Sequence, residues 1–341
     1  MLLLLTLLSL GHAAPPMDRP PLQGRPFLGL GGPTPLAEDD DTGTLVTLPP
    51  ERAEGIALQT WLSRTPFQPG SIDGSPGGNT EHALRAFQEA EGLRVTGRLD
   101  KRTRARLRDA AHADARPVLR RHVVTAEEVA GPYVDLPEGL YDAKDSECMC
   151  YESAWEEVAE RHQLSPGLLA TLNPTVDLDT LKAGDTLVVP DPRPIRPIAA
   201  TVAMIRIDVA DKTLSALDEE GNVLRQYPTV VGDTFAQYRG VMEVANVSHD
   251  PDYNLNPDTW EEIPDSLPKV VIPPGPNSPV GVVWMGLSKD GYGIHGTSHP
   301  ETIGHTESHG CVRLTNWSAT ELSAYVEPGE TKVDFVGLNQ G

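Results

Sequence analysis

The period of the apolar positions changes several times along this 341-residue chain, and each change marks an expected boundary. A nearly unbroken apolar run, Leu2 to Leu10, is followed by the small residues Gly11, Ala13 and Ala14, which predicts an export signal over residues 1–14. The run falls short of the roughly 18 to 20 apolar residues that a membrane-spanning helix needs. Residues 15–50 are rich in proline, glycine and acid, including Glu38-Asp39-Asp40-Asp41, and read as a flexible linker. Helical spacing then takes over across residues 51–111. Leu58, Trp61 and Leu62 form one apolar face, and Ala83, Leu84 and Phe87 form a second after the cap Asn79-Thr80. Asp100 caps a third helix carrying Thr103 and Leu107, so a small helical bundle is expected.

A connecting segment, 112–150, leads to a second small unit at 151–190. Ser153 and Glu156 have the spacing of a capping box, Ser165-Pro166 combines an N-cap with first-turn proline, and Leu187-Val188-Val189 reads as a closing strand. The implied order is strand, helix, helix, strand, with a weak opening strand beside Cys148-Met149-Cys150. The proline-rich stretch from Pro190 to Pro197 is a stiff spacer. Beyond it the period drops to two: Ile205, Ile207 and Val209 alternate with Arg206 and Asp208, and Glu220-Gly221-Asn222 turns the chain. Val282 to Leu287 suits a buried strand, Ser318 with Glu321 suggests a capped helix to about Val326, and Val333 and Phe335 suggest a last strand. The expected architecture is therefore multidomain. A mainly β domain at 199–337, sandwich-like or barrel-like with short helices, follows a small α-helical bundle and a small α+β unit.

Charge and cysteine usage narrow the function. A net charge of −21, spread along the chain, excludes sequence-blind binding to nucleic acid or to an anionic membrane surface. No later segment is apolar enough to insert stably in a membrane, and no cysteine follows the cleavage region to carry a lipid. An exported protein of the periplasm or cell envelope is expected. The three cysteines are odd in number, so in an oxidising compartment at least one thiol stays unpaired. Cys148 and Cys150 form either a local disulfide or two free thiols; a bridge requires a turn between them. Cys311 stands alone.

Around Cys311 the chemistry concentrates. Tyr292-Gly293-Ile294-His295-Gly296-Thr297 is followed by Ile303-Gly304 and then by Ser308-His309-Gly310-Cys311-Val312-Arg313-Leu314-Thr315-Asn316. A cysteine nucleophile needs a thiolate, an imidazole to manage its proton and backbone donors for an oxyanion. His295 and His309 supply imidazoles, and Gly310 allows the sharp turn that aims successive N–H groups at one acceptor.

These residues resemble the L,D-transpeptidase catalytic (YkuD) domain, whose hallmark is a histidine followed by a Ser/Thr-His-Gly-Cys block that ends in asparagine. Ile272-Pro273-Pro274-Gly275-Pro276, Pro279-Val280-Gly281 and Trp284 fit the same pattern, whereas Val231-Gly232-Asp233-Thr234-Phe235 lacks the Pro-Thr-Gly step of many members. The resemblance implies Cys311 as nucleophile, His295 as base, the Gly296 carbonyl as its orienting partner, and donors around His309 and Gly310. It also implies substrate contacts from Arg313, Ser308, Thr297, Tyr292, Trp284 and Asn316, with Asn316 holding the loop, and acylation of Cys311 by carbapenems. No metal or organic cofactor is implied.

In the bundle, Leu58-Gln59, Ile72-Asp73-Gly74, Phe87-Gln88, Gly92-Leu93 and Thr96-Gly97 resemble a peptidoglycan-binding domain. Leu168-Leu169, Leu172-Asn173-Pro174 and Gly184-Asp185 resemble a LysM glycan-binding module. The partners so implied are glycan strands and stem peptides of peptidoglycan, with an outer-membrane lipoprotein as an alternative acceptor.

Two other readings carry distinct expectations. His295, His299, His305 and His309 beside Cys311 would make a zinc site, although no HExxH helix is present. A noncatalytic wall-binding protein would use only the two small modules.

Overall fold

The computed structural model describes residues 48–192, 201–232, 238, 240–259, 263–264, 266–305 and 311–337. The expected signal over 1–14, nearly all of the linker, the Asp233-Thr234-Phe235 step, and Ser308, His309 and Gly310 lie outside the described residues.

Three helices form the first unit: α1 (Pro50–Ser63), α2 (Gly78–Ala90) and α3 (Lys101–Ala110). Leu58, Trp61, Leu62, Leu84, Phe87 and Leu107 make one buried cluster, the apolar face that the 3.6-residue spacing requires. Asp100 caps α3 by accepting from the Thr103 N–H. At α2 the cap expectation is corrected: the helix begins at Gly78 with Gly77 as N-cap, and Asn79 turns outward to donate to the Ile303 carbonyl at 2.8 Å.

The second unit differs in its boundaries from the 151–190 expectation. Its opening strand is β1 (Leu119–Val123), inside the span assigned as a connection, and it pairs antiparallel with β2 (Thr186–Pro190). Arg120, Arg121 and His122 dilute the alternation that would have marked it. Helices α4 (Ala154–Arg161) and α5 (Pro166–Leu172) lie between the strands, capped by Ser153 and Ser165. Glu156 bonds the Glu152 N–H rather than that of Ser153, so the capping box is displaced by one residue.

The large sheet comprises β3 (Met204–Asp208), β4 (Thr213–Leu217), β5 (Val223–Pro228), β6 (Val230–Val231), β7 (Val241–His249), β10 (Val283–Leu287), β11 (Gly293–His295), β12 (Val312–Arg313) and β13 (Lys332–Val336). A small hairpin, β8 (Tyr253–Leu255) with β9 (Val270–Ile272), stands beside it. The sheet order β5-β4-β3-β13-β7-β10-β11-β12-β6 places β5 and β6 at opposite edges, although only Thr229 separates them in sequence. The sheet is nearly closed, and its inner face carries the core residues Ile205, Ile207, Leu214, Val244, Met285, Ile294, Val312 and Val333.

Helix α6 (Asn316–Ser323) is capped by Thr315 through the Ser318 N–H. The Ser318/Glu321 capping box is thereby corrected, because Glu321 is buried under the sheet, paired to Arg225 at 3.3 Å and accepting from the Tyr227 hydroxyl at 3.0 Å.

The units interlock. Gln68 N donates to Gln226 O, Gln226 N to Pro66 O, and Ile72 N to Gln163 O. Met149 N donates to Pro274 O, and Asn277 N returns the bond to Met149 O, both at 2.9 Å. A Cβ on Gly275 would stand 2.1 Å from that Met149 oxygen, so only glycine permits this approach. Cys148 and Cys150 are bridged, with Cα atoms 5.2 Å apart, and both are buried. Cys311 remains the free thiol.

Candidate active site

Strand parity assembles the site. Ile294 and Val312 are paired across the parallel β11–β12 ladder, and both point into the core with no exposure. His295 pairs with Arg313 one position on, so these two side chains share the opposite face. Cys311 precedes Val312 and keeps the ladder geometry, its carbonyl accepting from Gly232 N, and therefore lies on the face of His295 and Arg313. The nucleophile, the base and the guanidinium of the predicted motif are brought to one side of two adjacent strands.

His295 is 4% exposed, and its Nδ1 lies 2.6 Å from the Gly296 carbonyl oxygen. A carbonyl can only accept, so Nδ1 carries the proton and Nε2 is left as a base. Trp284 is opposite His295 in the β10–β11 pairing, and the rings stack with centroids 5.6 Å apart and planes 21° apart. Trp284 also fills the space over Gly293, where any Cβ would meet its ring at 2.4 Å. Its position is that of a wall holding the imidazole.

Burial, reinforced by the Arg313 charge and opposed by the Gly296 bond, lowers the His295 pKa to about 4. Burial likewise raises the Cys311 thiol, against the backbone at Gly293 and the charge of Arg313. The free site at neutral pH thus holds a thiol and a neutral imidazole.

Asn316 holds the loop, as an internal brace. It has no exposure; its Oδ1 accepts from Thr297 N at 3.1 Å and Val282 N at 3.3 Å, and its Nδ2 donates to Pro276 O at 3.1 Å. Both Gly281 and Gly296 press on that side chain, since added Cβ atoms would lie 2.0 and 2.1 Å from Oδ1. Tyr292 lies beside the site. It sits on the core parity of β11 and packs beside Tyr238, and Lys289 Nζ lies 2.8 Å from its hydroxyl. Thr297 is buried, and its hydroxyl accepts from His299 N at 3.2 Å.

Thr297 and Arg313 also line a cleft of about 800 Å³ that continues the site toward α4 and α5. Glu156, Glu160, Asn277, His299 and Glu301 line it too. Of these, His299, one of the four histidines of the zinc reading, has a side chain 71% exposed and sits 3.6 Å from Glu301, whose hydrogen bond raises its pKa. Glu160 and Asn277 carried no signal in the sequence, and Glu156 only that of a helix cap, because the carboxylates belong to a different unit from Arg313.

Comparison with known proteins agrees with this geometry. Residues 203–334 match the model of the L,D-transpeptidase catalytic domain, YkuD, and residues 52–107 match that described as "Putative peptidoglycan binding domain". "Putative L,D-transpeptidase YkuD" of Bacillus licheniformis is 28% identical over 197 residues, 58% of this chain and 98% of the relative. "Putative L,D-transpeptidase in ATP synthase subunits region ORF 5" of Fuscovulum blasticum is 34% identical over 121 residues, 35% of this chain and 62% of that one. An NMR structure of the catalytic domain from E. faecium L,D-transpeptidase acylated by ertapenem aligns at 23% identity and a TM-score of 0.31, covering 40% of this chain and 98% of that chain. The chain carries an L,D-transpeptidase catalytic domain and a peptidoglycan-binding domain, and is an enzyme acting on peptidoglycan.

Proposed function

We propose that the protein is a cysteine-dependent L,D-transpeptidase that works through a Cys311 thioester. The observation that carries this reading is the shared face of Cys311, His295 and Arg313 on β11 and β12. Because thiol and imidazole are both neutral in the free site, the proton moves as the bond forms: Nε2 of His295 takes it while Sγ of Cys311 attacks the carbonyl of the third, L-centred residue of a tetrapeptide stem. Donors around His309 and Gly310 receive the developing oxyanion. Collapse of the tetrahedral species breaks the C–N bond to the terminal D-alanine, whose amine takes the proton from His295.

An acceptor amine then gives up a proton to His295, its nitrogen bonds the acyl carbon, and the C–S bond breaks to regenerate the thiol. A diaminopimelate side-chain amine as acceptor gives a 3-3 cross-link; water would give L,D-carboxypeptidase activity, and a lipoprotein lysine an anchoring reaction. The strand-helix-helix-strand unit supports the reading of a LysM-like glycan module. With the peptidoglycan-binding helices it would raise the local concentration of stems around the site, in the cell envelope after export.

The test is incubation of wild type and Cys311→Ala with purified tetrapeptide muropeptides, followed by product masses. Cross-linked dimers from the wild type alone support the proposal, and tripeptides alone redirect it to hydrolysis. Equal activity in the alanine variant, or loss of activity with EDTA and recovery with zinc, rejects it.

A further inference from the structure

The imidazole of His295 is oriented by one peptide unit, and that unit is held from behind. Its carbonyl, Gly296 O, accepts from His295 Nδ1 at 2.6 Å, and its N–H, on Thr297, donates to Asn316 Oδ1 at 3.1 Å. A planar trans peptide carries its C=O and N–H in opposite directions, so fixing the N–H also fixes the carbonyl that holds the imidazole. Whatever orients the Asn316 amide therefore reaches the base.

Oδ1 of that amide also accepts from Val282 N, and Nδ2 gives one hydrogen to Pro276 O. A second Nδ2 hydrogen remains. It meets Glu160 of α4, which belongs to the second unit: the Asn316 side chain hydrogen-bonds the Glu160 carboxyl, whose Oε1 has no hydrogen-bond partner. Glu160 is 7% exposed. One turn earlier on the same helix, Glu156 Oε1 accepts from Asn277 Nδ2 at 2.9 Å. Residues i and i+4 share a helix face, so α4 sets two carboxyls side by side, each on an asparagine amide of the catalytic domain. Asn277 directly follows Pro276, whose carbonyl takes the Asn316 amide, and its own N–H donates to Met149 O. The helix bears on the brace both directly and through this loop.

We propose that Glu160 is a positioning residue for catalysis, supplied by the second unit: its carboxyl holds the Asn316 amide against the 296–297 peptide and so keeps His295 aligned with Cys311. The inference rests on the transpeptidase reading, since it concerns the base of that site. Glu160 acts in this way without touching substrate. Burial, opposed by the Asn316 bond and aided by the carboxylates of Glu156 and Glu301, pushes its pKa up to about 8. The carboxyl is therefore protonated near neutral pH. Glutamine keeps its neutrality, its size and an acceptor oxygen, whereas leucine keeps only the bulk.

The test compares Glu160→Gln with Glu160→Leu, both checked by thermal unfolding and both normalised to the fraction of Cys311 that a penem finally acylates. In the leucine variant kcat for D-alanine release from a tetrapeptide donor should fall about tenfold, the order of one buried hydrogen bond, with KM changed by less than about twofold. The glutamine variant should restore most of that loss. In the full chain labelled at histidine, the His295 Nδ1 proton should lose its hydrogen-bonded NMR shift in Glu160→Leu and regain it in Glu160→Gln. A role in folding alone would lower the unfolding temperature and leave kcat and the Nδ1 resonance of the folded molecules in place.

In an Asn316→Ala background Glu160→Leu should cost nothing further in kcat, and fully additive losses would overturn the route through Asn316. Should that background fail to fold, the leucine and glutamine comparison decides. A raised KM at wild-type kcat would make Glu160 a substrate contact, and a folded leucine variant with wild-type kcat and an unmoved Nδ1 resonance would leave His295 independent of it; either result overturns this inference alone. A wild type that neither releases D-alanine nor accepts the penem overturns the transpeptidase reading, while the Nδ1 resonance still judges the positioning role.

Discussion

Replacing Gly296 by alanine tests how the site is held. The new methyl would stand 2.1 Å from Asn316 Oδ1, whereas the next nearest atom outside that side chain, the Gly281 Cα, is 3.3 Å away. Asn316 cannot swing aside cheaply, because three hydrogen bonds to Val282, Thr297 and Pro276 hold it in a site with no exposure. The overpacked variant should lose about 1–3 kcal/mol or more, and the displaced loop should cost His295 its orienting carbonyl. Asn316→Ala alone strands two backbone N–H groups and a carbonyl, at roughly 1–3 kcal/mol each, reduced where water enters the space left behind; about 3–6 kcal/mol is expected. The double variant is the informative one. With the amide gone the methyl of Gly296→Ala has room, so the pair should be no less stable than Asn316→Ala by itself. Thermal and urea unfolding of the four proteins give the coupling energy, which should approach the whole cost of Gly296→Ala. Additivity within about 0.5 kcal/mol would refute the brace.

Four further outcomes follow from the charges and the bridge. His295 is held neutral to about 4, so kcat/KM should keep its acid limb near that pH, and a limb at 6.5 would refute the neutral base. The sign for stability is consistent with this: the unfolded chain binds the proton first, so this contribution is complete above about 6.5 and declines as pH falls toward 4. The raised thiol predicts that iodoacetamide labels Cys311 slowly at neutral pH and faster through the alkaline range; fast labelling at pH 7 would refute it. Burial opposes ionisation of Glu128, but His122, the Thr125 N–H and Arg161 hold it to about 2. Its stabilisation is present above the ordinary 4.5 and lost as pH falls toward 2, so Glu128→Gln should flatten acid unfolding in that window. Reduction of the denatured protein should add the mass of two hydrogens from Cys148 and Cys150, and an unchanged mass would remove the bridge.

What the sequence made visible was whatever had a local cause. The caps at Asp100, Ser153 and Ser165 need only a hydroxyl or carboxyl and the N–H three residues on. The buried strand at Val283–Leu287 and the alternation at Ile205 and Ile207 follow from burial on one face. Cys311 and His295 stood out because few residue types can do their chemistry. Features with a distant cause stayed hidden. Asn79 resembles a cap until Ile303, far along the chain, takes its side chain, and Glu321 resembles a capping-box partner until Arg225 and Tyr227 claim it. The strand Leu119–Val123 has too many cations for its period to show, and is fixed by its partner Thr186–Pro190.

The same distinction bears on how the units depend on one another. Composition divides the chain into modules on linkers, yet backbone bonds join Gln68 to Gln226, Ile72 to Gln163 and Met149 to Pro274. Leu255, Ile263 and Ile272 of the catalytic segment are buried in one cluster with Ala143 and Met149 from outside it. Residues 201–337 produced alone would uncover part of that cluster, at about 1.5–3 kcal/mol for each side chain fully exposed. They would also leave the Pro274 carbonyl and the Asn277 N–H without the Met149 backbone. The fragment should therefore unfold at lower temperature than the full chain and lose penem acylation first, because Asn316 holds Pro276 in the same loop that Met149 clamps. Calorimetry of the full chain should show the catalytic and accessory units melting together. A fragment as stable and as readily acylated as the whole protein would mean that the interlocking adds nothing to the site.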